Sequence, residues 1–267
     1  ECQSCGHVPQ CKHCDVSLTY HKSSHSLRCH YCGYSEDLPY ACPSCSNKAF
    51  SDKGFGTEQV EEELKVLFPE ARTKRMDHDT TRKKHAYSQI IDDFERGNTD
   101  ILIGTQMVSK GLDFDNVALV GVLNADSMLK FPDFRALERS YQLMSQVAGR
   151  AGRKGDRGKV IIQTFDEKHE IIHQVKNHDY SSMCKKQLEE RKIFKYPPFC
   201  RIISINLQCK NKQKLDYLSN NFAISVRKSF GNRVLGPESP AVSKIRNYYH
   251  KNILLKIETD SSIRNAK

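Results

Sequence analysis

The sequence predicts an α/β protein with a parallel sheet, preceded by a cysteine-rich metal-binding module and followed by a small α+β domain. Three observations carry this. A short strand-like stretch at 71–77 and apolar ones at 100–104, 117–123 and 158–164 alternate with amphipathic helical stretches, the pattern of strands in a parallel sheet covered by helices on both faces. Eight of the eleven cysteines fall in four C-x-x-C pairs within the first 45 residues. After residue 178 the apolar residues change to strict alternation, Ile203, Ile205 and Leu207 against Ser204, Asn206 and Gln208, as in a half-buried strand. The domains predicted are residues 1–50, 51–178 and 179–267.

The composition, 38% apolar and 28% charged, excludes a disordered chain. The longest apolar run, residues 117–123, is far too short to span a bilayer, and no signal peptide opens the chain. The start at Glu1-Cys2 without Met predicts a piece excised from a longer protein. The formal charge of +10 is uneven. Residues 1–50 balance at four of each sign, 51–178 hold 20 basic against 21 acidic residues, and 179–267 hold 18 against 7. A surplus confined to one segment fits a polyanion surface, because Lys and Arg that neutralise phosphates release counterions. A solvated surface accounts for the charge equally well.

In the first block the pairs are Cys2/Cys5, Cys11/Cys14, Cys29/Cys32 and Cys42/Cys45. A two-residue spacer lets one turn present two thiolates to a tetrahedral zinc ion, so four pairs make two four-cysteine sites. Fourteen residues separate Cys14 from Cys29, enough for a hairpin, whereas five separate Cys5 from Cys11. This predicts a nested arrangement: Cys11, Cys14, Cys29 and Cys32 inside, Cys2, Cys5, Cys42 and Cys45 outside. Gly6 and Gly33 fit the left-handed turn that such knuckles need. Disulfides would need an oxidising compartment, and a redox C-x-x-C would need a free thiol that two closed shells do not leave. His7, His13, His21, His25 and His30 are surplus to eight sulfurs. Fifty residues this poor in aliphatics are expected to fold only with metal. Cys184, Cys200 and Cys209 stand alone, as small buried apolar groups do.

In the middle block Thr57 is expected to cap a helix to Phe68, and Thr81 a helix carrying Ala86, Ile90, Ile91 and Phe94. A third helix carries Leu137, Tyr141, Met144 and Ala148. Two segments bear the chemistry. Gly104-Thr-Gln-Met follows a strand and leads into Lys110-Gly-x-x-Phe114, and Gln146 opens a run ending in Arg150 and Arg153 flanked by glycines. Paired guanidinium groups at a helix end suit a phosphate belonging to a neighbouring lobe. An exposed ion pair would explain Arg153 alone, and a turn Asp113 alone. No G-x-x-x-x-G-K-[ST] loop occurs in the chain, so it is not expected to hydrolyse ATP by itself.

In the last block, 181–194 reads as a helix ended by Tyr196-Pro-Pro-Phe199. A later helix carries Leu215, Leu218, Phe222 and Val226, and 252–258 is a strand. Lys244, Arg246, Tyr248, Tyr249 and Lys251 interleave charge with aromatics, as in single-strand binders. The tyrosines serve a core equally well.

Gly56-Thr-Glu-Gln59, the 103–114 segment and 146–153 resemble the second RecA-like lobe of superfamily 2 helicases. With the cysteine block upstream, the whole chain resembles the bacterial primosomal replication-restart DNA helicases. That resemblance implies an ATP-dependent 3′–5′ helicase that remodels stalled forks. Arg150 and Arg153 would reach the γ-phosphate of ATP, bound with Mg2+ on another lobe, and Gln146 would couple nucleotide state to lobe closure. Gly111 and Asp113 would touch the nucleotide, and Thr105 and Gln106 a strand phosphate. Lys244, Arg246, Tyr249 and Lys251 would contact DNA. It also implies forked and single-stranded DNA, other primosomal proteins and single-strand-binding protein as partners, a cytoplasmic location and no membrane. In that family the zinc module is inserted in the second lobe, so the chain is expected to lack that lobe's leading strand and to stop before the pattern's last strand. A non-catalytic zinc adaptor and a thiol redox sensor are the alternatives. The paired arginines speak against the first, and loss of fold on chelation would exclude the second.

Overall fold

In the computed structural model, residues 1–21, 25–50, 56–77, 80–81, 85–105, 108, 114, 117–149, 151 and 158–259 are described. The chain forms two compact units, one joining residues 1–53 to 191–267 and the other covering 54–190.

In the first unit, the cysteine-rich end holds β1 (Thr19–His21), β2 (Ser26–Arg28) and β3 (Ser35–Asp37), paired antiparallel in that order. Leu18 and Leu27 are buried among Cys11, Cys14 and Cys29. That is a small core for fifty residues, as their composition requires. The same turn recurs four times. The N–H of each pair's first cysteine donates to the carbonyl five residues on: Cys2 to His7, Cys11 to Val16, Cys29 to Tyr34, Cys42 to Asn47. Gly6 and Gly33 are left-handed at φ 71° and 79°, and Ser46 takes the corresponding place at φ 60°.

The carboxyl end of this unit holds β8 (Cys200–Cys209), α7 (Lys212–Phe230), β9 (Val234–Glu238), β10 (Lys244–Ile245) and β11 (Tyr248–Glu258). The sheet is antiparallel in the order β10-β11-β8, and β9 also pairs with β11. Its core is Ala223, Val234, Ile253, Leu255 and Ile257, flanked by Ile203, Ile205 and Leu207 from the expected alternating strand. The helix α7 departs from expectation. Its buried row is Leu215, Ser219 and Ala223, whereas Leu218 and Phe222 are 49% and 40% exposed. Small side chains at 219 and 223 let the helix axis approach the sheet, so the bulkier residues fall to its flank. Cys200 is buried, its Sγ donating to the Lys195 carbonyl at 2.8 Å, while Cys184 and Cys209 are half-buried.

In the second unit, α1 (Thr57–Leu67), β4 (Thr73–Met76), α2 (Ala86–Glu95) and β5 (Ile101–Gly104) form one parallel pair with its helices. Met76, Ile90 and Phe114 make their core. A second parallel pair, β6 (Leu119–Val122) with β7 (Lys159–Ile162), packs with α3 (Ala125–Leu129), α4 (Ala136–Ala148), α5 (Glu170–Lys176) and α6 (Tyr180–Ile193). Its core gathers Ala125, Leu129, Tyr141, Met144, Ile171, Val175 and Met183. The pairing is parallel as expected, but among the described residues it is divided into two ladders. Leu119 and Ile161 are 56% and 59% exposed, so among the described residues β6 and β7 are covered on one face rather than both. An unbroken apolar run cannot specify which of its faces finds a helix.

Two expected caps are corrected. Thr57 is the first residue of α1, Gly56 occupies the cap, and the Thr57 hydroxyl donates to Asp77 Oδ2 at 2.7 Å. The Thr81 hydroxyl donates to the Asp77 carbonyl at 2.6 Å, and α2 starts only after left-handed His85. Asp77, buried just after β4, accepts from both hydroxyls, one through its carboxylate and one through its carbonyl, and these contacts hold both threonines outside the cap positions that Gly56 and His85 fill. Short α3 and α5 were not anticipated. The latter is capped by His169, whose Nδ1 accepts from Ile171 N at 3.2 Å.

Candidate metal centres and helicase motifs

The eight paired cysteines converge as two groups of four, Cys2, Cys5, Cys42 and Cys45 in one, Cys11, Cys14, Cys29 and Cys32 in the other. Within each group all Sγ atoms lie within 4.8 Å of one another. The nesting has a backbone cause. The β1–β2 hairpin returns the chain so that Cys29/Cys32 face Cys11/Cys14. A bridge between Cys2 and Phe50, with Gln3 N donating to Ala49 O at 3.0 Å, laces the two ends of the block. Sulfurs 2.3 Å from a tetrahedral zinc would stand about 3.8 Å apart. The observed spacings are 3.5 Å for Cys2–Cys45, 3.7 Å for Cys5–Cys42 and 3.6 Å for Cys11–Cys32. They lie far outside a disulfide bond of about 2.05 Å. Among the described residues, no histidine joins either group.

The electrostatics ask for a cation. The Cys5 backbone N–H holds the Cys2 thiol down to about 6. Asn47 N–H favours the Cys45 thiolate as well, yet Cys5, Cys2 and Cys42 beside it push that thiol up to about 12. Burial opposes ionisation of Cys29, but the backbone N–H groups of Cys32 and Tyr31 bring it down to about 7. Burial raises Cys11, Cys14 and Cys32. Four thiols in so small a space cannot all ionise unless a positive ion takes up their charge.

Lys244, Arg246, Tyr249 and Lys251 lie on the β10–β11 hairpin, whose turn residues Arg246 and Asn247 are left-handed at φ 50° and 65°. The turn meets the inner cysteine group: Asp15 N donates to Lys244 O and Asn247 N to His13 O, each at 2.8 Å. Arg246 N donates to Cys14 Sγ at 3.3 Å, and Arg246 Nε to Tyr31 O at 3.3 Å. Lys251 pairs with Asp216 at 3.3 Å. Lys244 and Lys210 lie 5.7 and 5.5 Å from the ring centroids of Tyr249 and Tyr248. The interleaved cations and aromatics thus engage one another and the cysteine block.

In the second unit, Thr105 is exposed directly after β5, and Gln146 is exposed near the end of α4. Gly104 is required where it stands: a Cβ there would meet the Met76 carbonyl at 2.6 Å and collide with the Val108 side chain. Arg150, Arg153, Gln106, Gly111 and Asp113 lie outside the described residues. Asp77 and Arg75 were missed from the sequence. Asp77, 9% exposed, accepts from Thr57 and from Thr80 N, and Arg75 lies 3.3 Å from Glu61 and 3.7 Å from Asp77. Burial raises the Asp77 pKa, but hydrogen bonds from Thr57 and Thr80 outweigh it and the net shift is down. The Asp-x-x-Thr spacing was the available signal, since it is a common side-chain-to-backbone turn. Among the described residues, no helix is long and apolar enough to cross a membrane.

A parallel α/β lobe whose sequence carries these motifs, in one chain with two four-cysteine centres, is a helicase-type architecture, and comparison with known families agrees. The family model of the helicase conserved C-terminal domain matches residues 50–155. Those of the PriA DNA helicase Cys-rich region and the primosomal protein N C-terminal domain match 11–36 and 192–267. The chain is 40% identical over 98% of its length to replication restart protein PriA of Bacillus subtilis (strain 168), covering 33% of that relative. It is 37% identical over 97% of its length to PriA of Thermotoga maritima, covering 34%, and 36% identical over 99% to PriA of Haemophilus influenzae, covering 37%. The chain belongs to the PriA family. It spans about a third of the length of the curated relatives it matches.

Proposed function

We propose that this chain is the zinc-bearing second lobe and C-terminal domain of an ATP-dependent 3′–5′ DNA helicase that remodels stalled replication forks for restart. The observation that carries the reading is the continuous match of a cysteine-rich region, a helicase C-terminal domain and a primosomal C-terminal domain along one chain. Cys2, Cys5, Cys42 and Cys45 hold one zinc ion, and Cys11, Cys14, Cys29 and Cys32 another. The sulfur spacings near those of a tetrahedral thiolate shell support this. Such an ion closes the module's fold and leaves no open coordination position for chemistry.

Arg150 and Arg153 reach the γ-phosphate of ATP bound with Mg2+ on the partner lobe, and Gln146 couples that contact to lobe closure. Gly111 and Asp113 touch the nucleotide, while Thr105 and Gln106 hold a strand phosphate. The exposure of Thr105 and Gln146 supports these roles. Lys244, Arg246, Tyr249 and Lys251 belong to a basic surface for forked and single-stranded DNA, supported by the surplus of eleven positive charges after residue 178. Other primosomal proteins and single-strand-binding protein are the protein partners, and the location is cytoplasmic.

The test is DNA-stimulated ATP hydrolysis by the chain joined to its nucleotide-binding lobe, with Arg153→Ala beside the parent. Turnover is expected to fall by about 10³–10⁵ while DNA binding persists. Equal turnover in both proteins overturns the reading.

A further inference from the structure

The thiols of the inner cysteine group differ in where their N–H···S donors come from. Cys11 accepts from His13 N and Cys32 from Tyr34 N, each at 3.4 Å and each from two residues along its own knuckle. Cys29 is served by Cys32 and Tyr31. Cys14 accepts from Arg246 N at 3.3 Å, 232 residues away. Around that bond, Asp15 N and the Lys244 carbonyl, Asn247 N and the His13 carbonyl, and Ser243 Oγ and Asp15 Oδ2 pair at 2.7–2.8 Å. Ile245, on the two-residue strand β10, packs against the buried group of Leu18, Leu27 and the cysteines. The outer group has its own local donor, Ser44 N to Cys42 at 3.4 Å, and closes through Gln3 and Ala49 within the module.

We infer that the β10–β11 turn is the missing quarter of the inner site's outer shell, so that metal retention at the inner site and seating of the C-terminal hairpin are one linked equilibrium. The outer site stands apart from that link. N–H groups donated to a metal-bound thiolate orient it and stabilise its charge, and losing such a contact typically costs about 10–100-fold in metal affinity. Linkage is reciprocal: what the hairpin contributes to metal retention, the metal contributes to hairpin seating. Arg246 and Asn247 are therefore positioning residues, acting through Cys14 and His13. Their left-handed backbones turn the Arg246 N–H toward the sulfur. The inference rests on the zinc reading above.

The experiment is zinc release from the chain to a chromogenic chelator, following each of two equivalents. Ile245→Asp should speed release of one equivalent by about 10–100-fold and leave the other at the parent rate. Arg246→Gly keeps the N–H, suits φ 50° and removes only the contact to Tyr31, so it should release both equivalents within about twofold of the parent. Amide exchange supplies the reverse arm. Cys29→Ser should expose the amides of Arg246 and Asn247, whereas Cys45→Ser should leave them protected. Protection of Asn252–Glu258 in all variants verifies the folded C-terminal sheet. Should Ile245→Asp release both equivalents at the parent rate, or should the two Cys variants expose the turn equally, the link is overturned. A parent chain without zinc sinks the zinc reading itself, a result distinct from both.

Discussion

Gly236 stands at φ 94° in β9, where a Cβ would come 2.6 Å from the Asn252 carbonyl and 3.2 Å from Glu238 N. The register between β9 and β11 shifts between Asn252 and Leu254, and the strands close onto each other there. Gly236→Ala must therefore either break that pairing or bear a left-handed alanine against a carbonyl. We expect a loss of about 1–3 kcal/mol in urea unfolding followed at the β8–β11 sheet. A second prediction concerns protons. Arg72 grips Asp100 through Nε at 2.8 Å and a terminal nitrogen at 2.6 Å, and its own backbone N–H adds a third bond at 2.8 Å. Chiefly the Arg72 side chain, then its backbone N–H, hold the Asp100 carboxyl down to about 2. Because the folded pKa lies below the unfolded value of about 3.9, the pair contributes stability above that value and loses it as pH falls through about 2. Asp100→Asn should thus lower the urea midpoint at pH 6, and the gap to the parent should narrow steadily between about pH 4 and pH 2. A gap independent of pH would show that the carboxylate charge contributes nothing.

At the scale of elements, α7 separates what periodicity reveals from what packing decides. Ala223 is fully buried, so Ala223→Leu should push the helix off its sheet at a cost of about 1–3 kcal/mol. Leu218→Ala, at a position 49% exposed, should cost less than about 1 kcal/mol. Denaturant midpoints of the two variants decide between the rows. The helix itself was legible, because apolar residues recur at helical spacing, but spacing alone favours large side chains and overlooks Ser219 and Ala223. The nested cysteine groups were legible for the opposite reason: thiol chemistry and loop length leave few solutions. Thr57 and Thr81 looked like caps because the buried acceptor that claims them, Asp77, reveals itself only once β4 has a neighbour. His169 lies outside the usual set of capping residues, which hid α5. Arg150, Arg153, Gln106, Gly111 and Asp113 were legible as a spaced motif whose geometry falls outside the described residues.

Across the whole molecule, one unit is built from the first 53 residues and the last 77, and the stretch between holds most of the helicase C-terminal domain match. We expect two equivalents of zinc by elemental analysis. A strong chelator should remove amide protection from β1–β3 and the 243–247 turn while leaving β4–β7 unchanged. Retained protection in the metal-stripped module would mean that its few aliphatic residues suffice. The placement of the β10–β11 turn, by contrast, had no local signature in the sequence, since its partner Cys14 lies 232 residues earlier. That separation carries a consequence for biogenesis. At roughly 5–20 residues per second, a ribosome exposes Cys14 about 12–46 s before the residue that donates to its sulfur. A nascent chain therefore passes through a period in which the inner knuckles have already emerged but must keep any captured ion with local N–H donors to only three of their four sulfurs, and the β10–β11 turn locks it in once it too has been made.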